Sequence, residues 1–350
     1  MAFISFQPHD HFDVPVWTGS DSTTTVNGLA FKPDSIWIKN YSATGNTQFN
    51  NSTTGISKNW QVGSIAVINT ETFVASYTSD GFTLTGNKGD TNNASDKYLG
   101  ACWKANGGTT ASNTTGSINS TVQANTTSGI SIVKWTGTSA NGTIGHGIGA
   151  APKIILAKAN TSNVGACLNM GKTFVADPAT DYMQFAWTNA TLVDGADRWN
   201  DTAPTSSVFS IGATTQHNSN GQECIAYCFA EVKGFSKFGF YSGTGNIAGT
   251  KVYCGFRPKY VIIKSCGTTD DWGAKSSEVI GYGIGGKRTR DMKLNTTGNQ
   301  TSGDVQFESN GFRPVSTSTG NNKEDTLYWY MAFAEMPMVG SKVYLLYCFQ

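Results

Sequence analysis

Charge is scarce in this chain. Asp, Glu, Lys and Arg make up only 14% of its 350 residues, and the formal net charge is +1. No stretch gathers Lys or Arg into the basic face that a nucleic-acid binder uses, so nucleic acid is not an expected partner. Long apolar runs are also missing, and nothing approaches the length of a membrane span, so membrane insertion is not expected either. The opening Met1-Ala2-Phe3-Ile4-Ser5-Phe6-Gln7-Pro8-His9-Asp10-His11 lacks the basic end and apolar block of a signal peptide. The chain is therefore expected to fold in a cytoplasm, with its seven cysteines reduced. Sustained helical spacing of apolar residues is absent as well, apart from short stretches near 165–175 and 275–293.

What is abundant is Gly, at 40 residues, together with Thr, Ser and Asn. That is the composition of short strands joined by turns, and the chain reads as mostly β. It also repeats itself three times. An aromatic-Thr/Ser-Gly-Thr/Ser turn is followed by a proline-led apolar strand ending in lysine. The turns are Trp17-Thr18-Gly19-Ser20, Trp135-Thr136-Gly137-Thr138 and Tyr241-Ser242-Gly243-Thr244. The strands are Pro33 to Lys39, Pro152 to Lys158 and Pro258 to Lys264. The turns lie 118 and 106 residues apart (17 to 135, 135 to 241), and the prolines 119 and 106 (33 to 152, 152 to 258). A repeat of about a hundred residues can bury a core of its own, so it predicts domains rather than solenoid units.

Each copy ends alike, with a Phe-bearing strand around Phe82, Phe209 and Phe312, then a closing strand through Cys102, Cys228 and Ala332. Cys, Cys and Ala at one place indicate a small core position rather than a disulfide or a metal ligand. Each proline begins a strand, where its missing N–H does least harm. Runs such as Tyr260-Val261-Ile262-Ile263 are apolar on both faces and belong inside a packed sheet. The expected fold is all-β, three tandem jelly-roll-like β-sandwiches behind a short extended arm. The boundaries are 1–16 for the arm, 17–104 for the first sandwich, 105–128 for a polar linker, 129–233 for the second and 234–350 for the third. The linker, rich in Asn, Thr, Ser and Gly, could bend, whereas the short joint between copies two and three should be stiff, so that those two move as a body.

Chemistry-bearing motifs are few. Gly281-Tyr282-Gly283-Ile284-Gly285-Gly286-Lys287 fits seven places of a phosphate loop, but Arg288 stands where the magnesium-binding hydroxyl belongs, so the stretch reads as an exposed loop. Cys224 and Cys228 have no second pair to complete a zinc site. None of the four histidines neighbours a Ser or Cys in a nucleophile setting, and His146 reads as a turn residue. No catalytic set, cofactor or metal is implied, and the protein is not expected to be an enzyme. If residues 1–16 are extended, His9 and His11 point the same way, and three chains about a threefold axis could offer their imidazoles to one transition metal. The plainer reading is an arm docked on a partner. Trp60, Trp187 and Trp272 lie in the less regular middle of the copies, where exposed rings could stack on sugars. Trp199 reads as framework.

The stretch Trp199-Asn200-Asp201-Thr202-Ala203-Pro204-Thr205-Ser206-Ser207-Val208-Phe209-Ser210, with Ile225 to Gly239, resembles a repeat domain widespread in virion proteins of tailed phages, marine ones especially. Gly255-Phe256-Arg257-Pro258, Tyr330-Met331-Ala332-Phe333-Ala334-Glu335 and the opening Pro8-His9-Asp10-His11-Phe12 fit the same family. The resemblance implies a virion structural protein, foremost a trimeric tail fibre or fibre-like appendage that presents its sandwiches for host attachment. It brings no catalytic residues. The arm, through Phe3, Phe6, Pro8, His9, His11 and Phe12, would then bind other virion proteins of the tail or capsid. Trp60, Trp187 and Trp272 would be candidates for contact with a host surface glycan. An alternative is a head decoration or capsid-fibre protein held by the same arm. A third reading is a glycan-binding or glycan-cleaving module. The closing Val343-Tyr344-Leu345-Leu346-Tyr347-Cys348-Phe349-Gln350 would add a strand against a neighbour.

Overall fold

A computed structural model describes residues 6–62, 70–160, 166–169, 181–185, 188, 193–283, 286–298 and 300–335. The fold is all-β, and the three copies are built alike. In each, the lysine-ended strand (Ser35–Asn40, Ile154–Ala159, Pro258–Ser265) lies beside the closing strand (Lys97–Trp103, Glu223–Phe229, Leu327–Ala334). Its other neighbour is the next strand in sequence (Thr47–Asn51, Ala166–Asn169, Gly273–Ser276), and all these pairings are antiparallel. A second, shorter sheet pairs Thr24–Asn27 with Gly81–Leu84, Gly142–Gly145 with Val208–Ile211, and Val252–Tyr253 with Gly311–Pro314. The registers repeat to the residue. Ile36 faces Cys102, Ile155 faces Cys228 and Val261 faces Ala332, so the shared Cys/Cys/Ala place is a buried core position.

The recurring Gly of the aromatic-Thr/Ser-Gly turn has a packing reason. A Cβ on Gly19, Gly137 or Gly243 would lie 2.1, 2.2 and 2.1 Å from the carbonyl oxygens of Asn93, Ser219 and Lys323. Just before each of those carbonyls stands a fully buried Asn. Asn92, Asn218 and Asn322 accept from the backbone N–H after the turn glycine (3.2, 2.8 and 2.9 Å) and donate to two carbonyls each. The amide saturates backbone groups that no strand reaches, which is what a buried polar side chain must do.

Several boundaries differ from expectation. The arm is not separate: Phe12–Asp13 and Val16–Thr18 pair with the closing strand of copy one, in the place that Ile130–Thr136 and Ser236–Ser242 hold in copies two and three. The first copy therefore begins at Phe12 rather than at residue 17. Nor is 105–128 a bending linker. Ala111–Asn113 and Ser120–Asn125 extend the sheet of copy two. The buried carboxylate of Asp34 accepts from the backbone N–H of Ala105, Gly107 and Gly108 at 2.8, 2.7 and 2.6 Å, and from Ser52 Oγ at 2.8 Å. The Asn/Thr/Ser/Gly-rich composition of this segment suits a flexible linker, but strand pairing and the bonds to Asp34 fix its path. The stretch 275–293 contains strands, Ile280–Gly283 and Gly286–Lys293, so its helical spacing was overridden by sheet pairing. Helix instead occurs as single turns at Ala196–Trp199 and Thr215–Asn218, the latter capped by Thr214 Oγ1 accepting from Gln216 N–H.

The strand runs that are apolar on both faces have two cores to fill. Ile36 and Ile38 face the interior of copy one's own sandwich, while Trp37 faces outward into a larger cluster. That cluster draws on all three copies, with Trp37 and Trp103 from the first, Leu156 and Phe229 from the second, and Ile262 and Phe333 from the third. The copies are thus joined through one common core, and the joint expected between copies two and three includes copy one as well.

Candidate functional site

Trp103, Phe229 and Phe333 hold one register position, opposite Ser35, Ile154 and Tyr260. Their ring centroids form a nearly equilateral triangle, 6.0 Å for Trp103–Phe229, 5.9 Å for Phe229–Phe333 and 5.4 Å for Trp103–Phe333. The three copies therefore meet around an approximate threefold axis within one chain. Edge-to-face packing at these distances adds to the burial of each ring.

The lysine ending each repeated strand lies on the face turned to this junction. Lys39, Lys158 and Lys264 are at most 1% exposed, although Lys is rarely buried without partners. Lys39 Nζ donates to Gly45 O at 2.7 Å and to Thr296 O of copy three at 2.8 Å. Lys264 Nζ donates to Thr188 O of copy two at 3.3 Å, and Lys158 Nζ sits 5.8 Å from the Trp60 ring centroid of copy one. Copy one reaches copy three, three reaches two, and two reaches one. Burial pushes each ammonium down to about 8. An amine so tuned is suited to nucleophilic chemistry, but these are enclosed and engaged with the neighbouring copy, so they act as joints. The recurring lysine was visible in the sequence. Its inward aim was not, because strand register decides which face it takes.

Of the arm residues, Pro8 and Phe12 are buried. The Phe12 ring stacks on Phe333 at 4.9 Å and packs against Trp103 at 5.0 Å, at the edge of the aromatic triangle. Phe6 stacks on His11 at 4.8 Å and edges onto Phe235, while Asn125 Nδ2 lies 3.0 Å from His11 Nδ1. The arm thus docks on its own chain, which removes Phe6, Pro8, His11 and Phe12 as free grips for a partner. A 3-10 turn at Pro8–Asp10 separates the two imidazoles, with His9 Nε2 3.3 Å from Asp10 instead of aligned with His11. The extended geometry behind a shared metal site is absent there. Among the described residues no group of three or more His, Cys, Asp or Glu is placed to hold a metal ion. Phe3 lies outside the described residues.

Trp60 and Trp272 are 3% and 0% exposed, both in the common core, so neither offers a face to a sugar. They hold the copies together through Phe185, at 5.9 and 4.8 Å. Trp187 and the closing residues 343–350 lie outside the described residues. Trp199 is framework, buried and stacked on His217 at 4.7 Å. The phosphate-loop-like stretch is a hairpin in which Gly283 pairs with Gly286, so no helix N-terminus is there to receive a phosphate. Cys224 and Cys228 both face the apolar core of copy two, and burial pushes the Cys224 thiol up to about 12.

No curated protein and no solved structure matches the chain. One family model does, and it runs through all three copies from within the arm to just past the last closing strand, as a structure with one common core requires. The match covers residues 7–337, and the chain belongs to that family, described as Domain of unknown function (DUF7483).

Proposed function

We propose that this chain is a structural protein of a tailed-phage virion, the compact block of a tail fibre or fibre-like appendage that turns β-sandwich surfaces toward the host. The reading starts from the repeat motifs around Trp199–Ser210 and Ile225–Gly239. The observation that carries it further is the closure of three sandwiches on one aromatic junction, the construction of a mechanical block rather than of a cleft built for turnover. The threefold arrangement is supplied inside one chain, so we infer that a threefold seat on a particle is filled by one chain rather than by a homotrimer. Light scattering of the purified protein tests this, and a mass of three chains would overturn it.

A second reading, a head decoration protein, is favoured by the same approximate axis, since capsids present threefold and quasi-threefold positions. Its contact would be a face other than the docked arm. Cryo-electron microscopy of intact particles decides the matter. Density at the tail supports the appendage, density on the head supports decoration, and absence from purified particles sinks both.

A further inference from the structure

The three junctions between copies are equivalent in register but not in charge. Lys97, Glu223 and Leu327 begin the three closing strands, opposite Thr18, Thr136 and Ser242. Across the junction the matching positions are Lys58 in copy one and Arg290 in copy three. Each precedes by two the residue (Trp60, Met292) that faces Phe49 and Ala274, which in turn face Trp37 and Ile262 of the lysine strands. Where copy two meets copy one, these places hold Glu223 and Lys58, joined by an ion pair of 2.7 Å. Where copy one meets copy three, the same two places hold Lys97 and Arg290, both cationic. Among the described residues neither of these side chains has a hydrogen bond or an ion pair.

Lys97 and Arg290 line a cleft of about 370 Å³, within the range of ~300–1,000 Å³ for small-molecule sites, which favour interfaces between units. The cleft also holds Tyr41, Ser42, Glu278 and Gln300. The carboxylate of Glu278 is held by Lys259 at 2.6 Å rather than by either cation. Among the described residues Gln300 Oε1 is buried without a hydrogen-bond partner, an acceptor awaiting a donor. Two unpaired cations call for an anion, and a lone buried acceptor calls for a hydroxyl.

We propose that the junction between copies one and three is a binding site for an acidic saccharide, whose carboxylate bridges Lys97 and Arg290 and whose hydroxyls reach Gln300. The site goes beyond the virion reading and does not depend on it. An Arg guanidinium is the natural partner for a planar carboxylate, and Lys adds a second charge.

The test is calorimetric titration of the full chain with glucuronate, with glucose and inorganic phosphate as comparisons, at low ionic strength. Glucuronate should bind, glucose should not, and phosphate should bind more weakly, since it satisfies the cations alone. Lys97→Glu recreates the ion pair found between Glu223 and Lys58, so this variant should keep or raise its melting temperature. Its affinity for glucuronate should fall roughly tenfold or more, the effect of losing one charge-assisted bond. Arg290→Gln should weaken binding similarly. Glucuronate binding no better than glucose, or unchanged in Lys97→Glu, would overturn the site. Phosphate binding as tightly as glucuronate would overturn the saccharide assignment.

Discussion

Replacing Phe229 with Ala tests whether three copies make one cooperative structure. Its ring is 1% exposed and lies 6.0 Å from Trp103, 5.9 Å from Phe333, 6.4 Å from Phe238 and 6.2 Å from Trp37. Removing a buried Phe typically costs about 3–5 kcal/mol. Aromatic pairing adds roughly 0.5–1.5 kcal/mol per favourable pair, and the surrounding rings come from copies one and three, so collapse around the cavity is constrained. We expect about 5 kcal/mol, against a total stability on the order of 5–15 kcal/mol. Urea unfolding followed by tryptophan fluorescence and by circular dichroism should give one coincident transition, shifted as a whole. Hydrogen exchange should speed up in the closing strands of copies one and three as well as two. Exchange confined to copy two, or a loss under about 1.5 kcal/mol, would refute the shared core as the source of cohesion.

Asp34→Ala leaves the N–H groups of Ala105 and Gly107 without their acceptor and Gly108 N–H with Gln123 Oε1 alone, and should cost about 3 kcal/mol, with fast exchange at residues 105–107; Asp34→Asn should fall between it and the wild type. Burial holds His217 down to about 4, and its Nε2 donates to Arg198 O at 2.9 Å. As pH falls from 6.5 toward 4 the unfolded chain takes up a proton that the folded one refuses. Stability should therefore decline by about 3 kcal/mol across that window, and the decline should flatten in His217→Gln when urea midpoints are compared. NMR titration of the side-chain amines of Lys39, Lys158 and Lys264 should find midpoints near 8, and a midpoint at the ordinary value of 10.5 for any of them would contradict its burial at the junction.

Much of this architecture can be read along the chain. The period, the proline at each strand start, the turn glycine and the Cys/Cys/Ala core position are local requirements of backbone geometry and strand pairing, and local requirements leave marks at fixed spacing. The same marks misled where a side chain had two uses. Phe6, Phe12 and His11 suit an arm that grips a partner, yet the nearest apolar surface is that of their own chain, and docking there costs no loss of translational freedom. Trp60 and Trp272 sit between regular motifs as exposed rings would, but burying an indole against Phe185 removes far more apolar area from water than leaving it in a loop.

The candidate site was legible only in fragments. Lys97 and Arg290 lie 193 positions apart (97 to 290) in copies that carry no shared motif at those places. Their meeting depends on how the copies turn about the aromatic triangle. Sequence alone determined that the chain is all-β, with one set of motifs written three times and central strands apolar on both faces, because strand period and repeat spacing are written residue by residue. What covers the second face was decided only in three dimensions. Each copy could have faced a partner chain, but Trp103, Phe229 and Phe333 bury one another where the three copies close on themselves, and burial of a surface does not depend on where its cover stands in the chain.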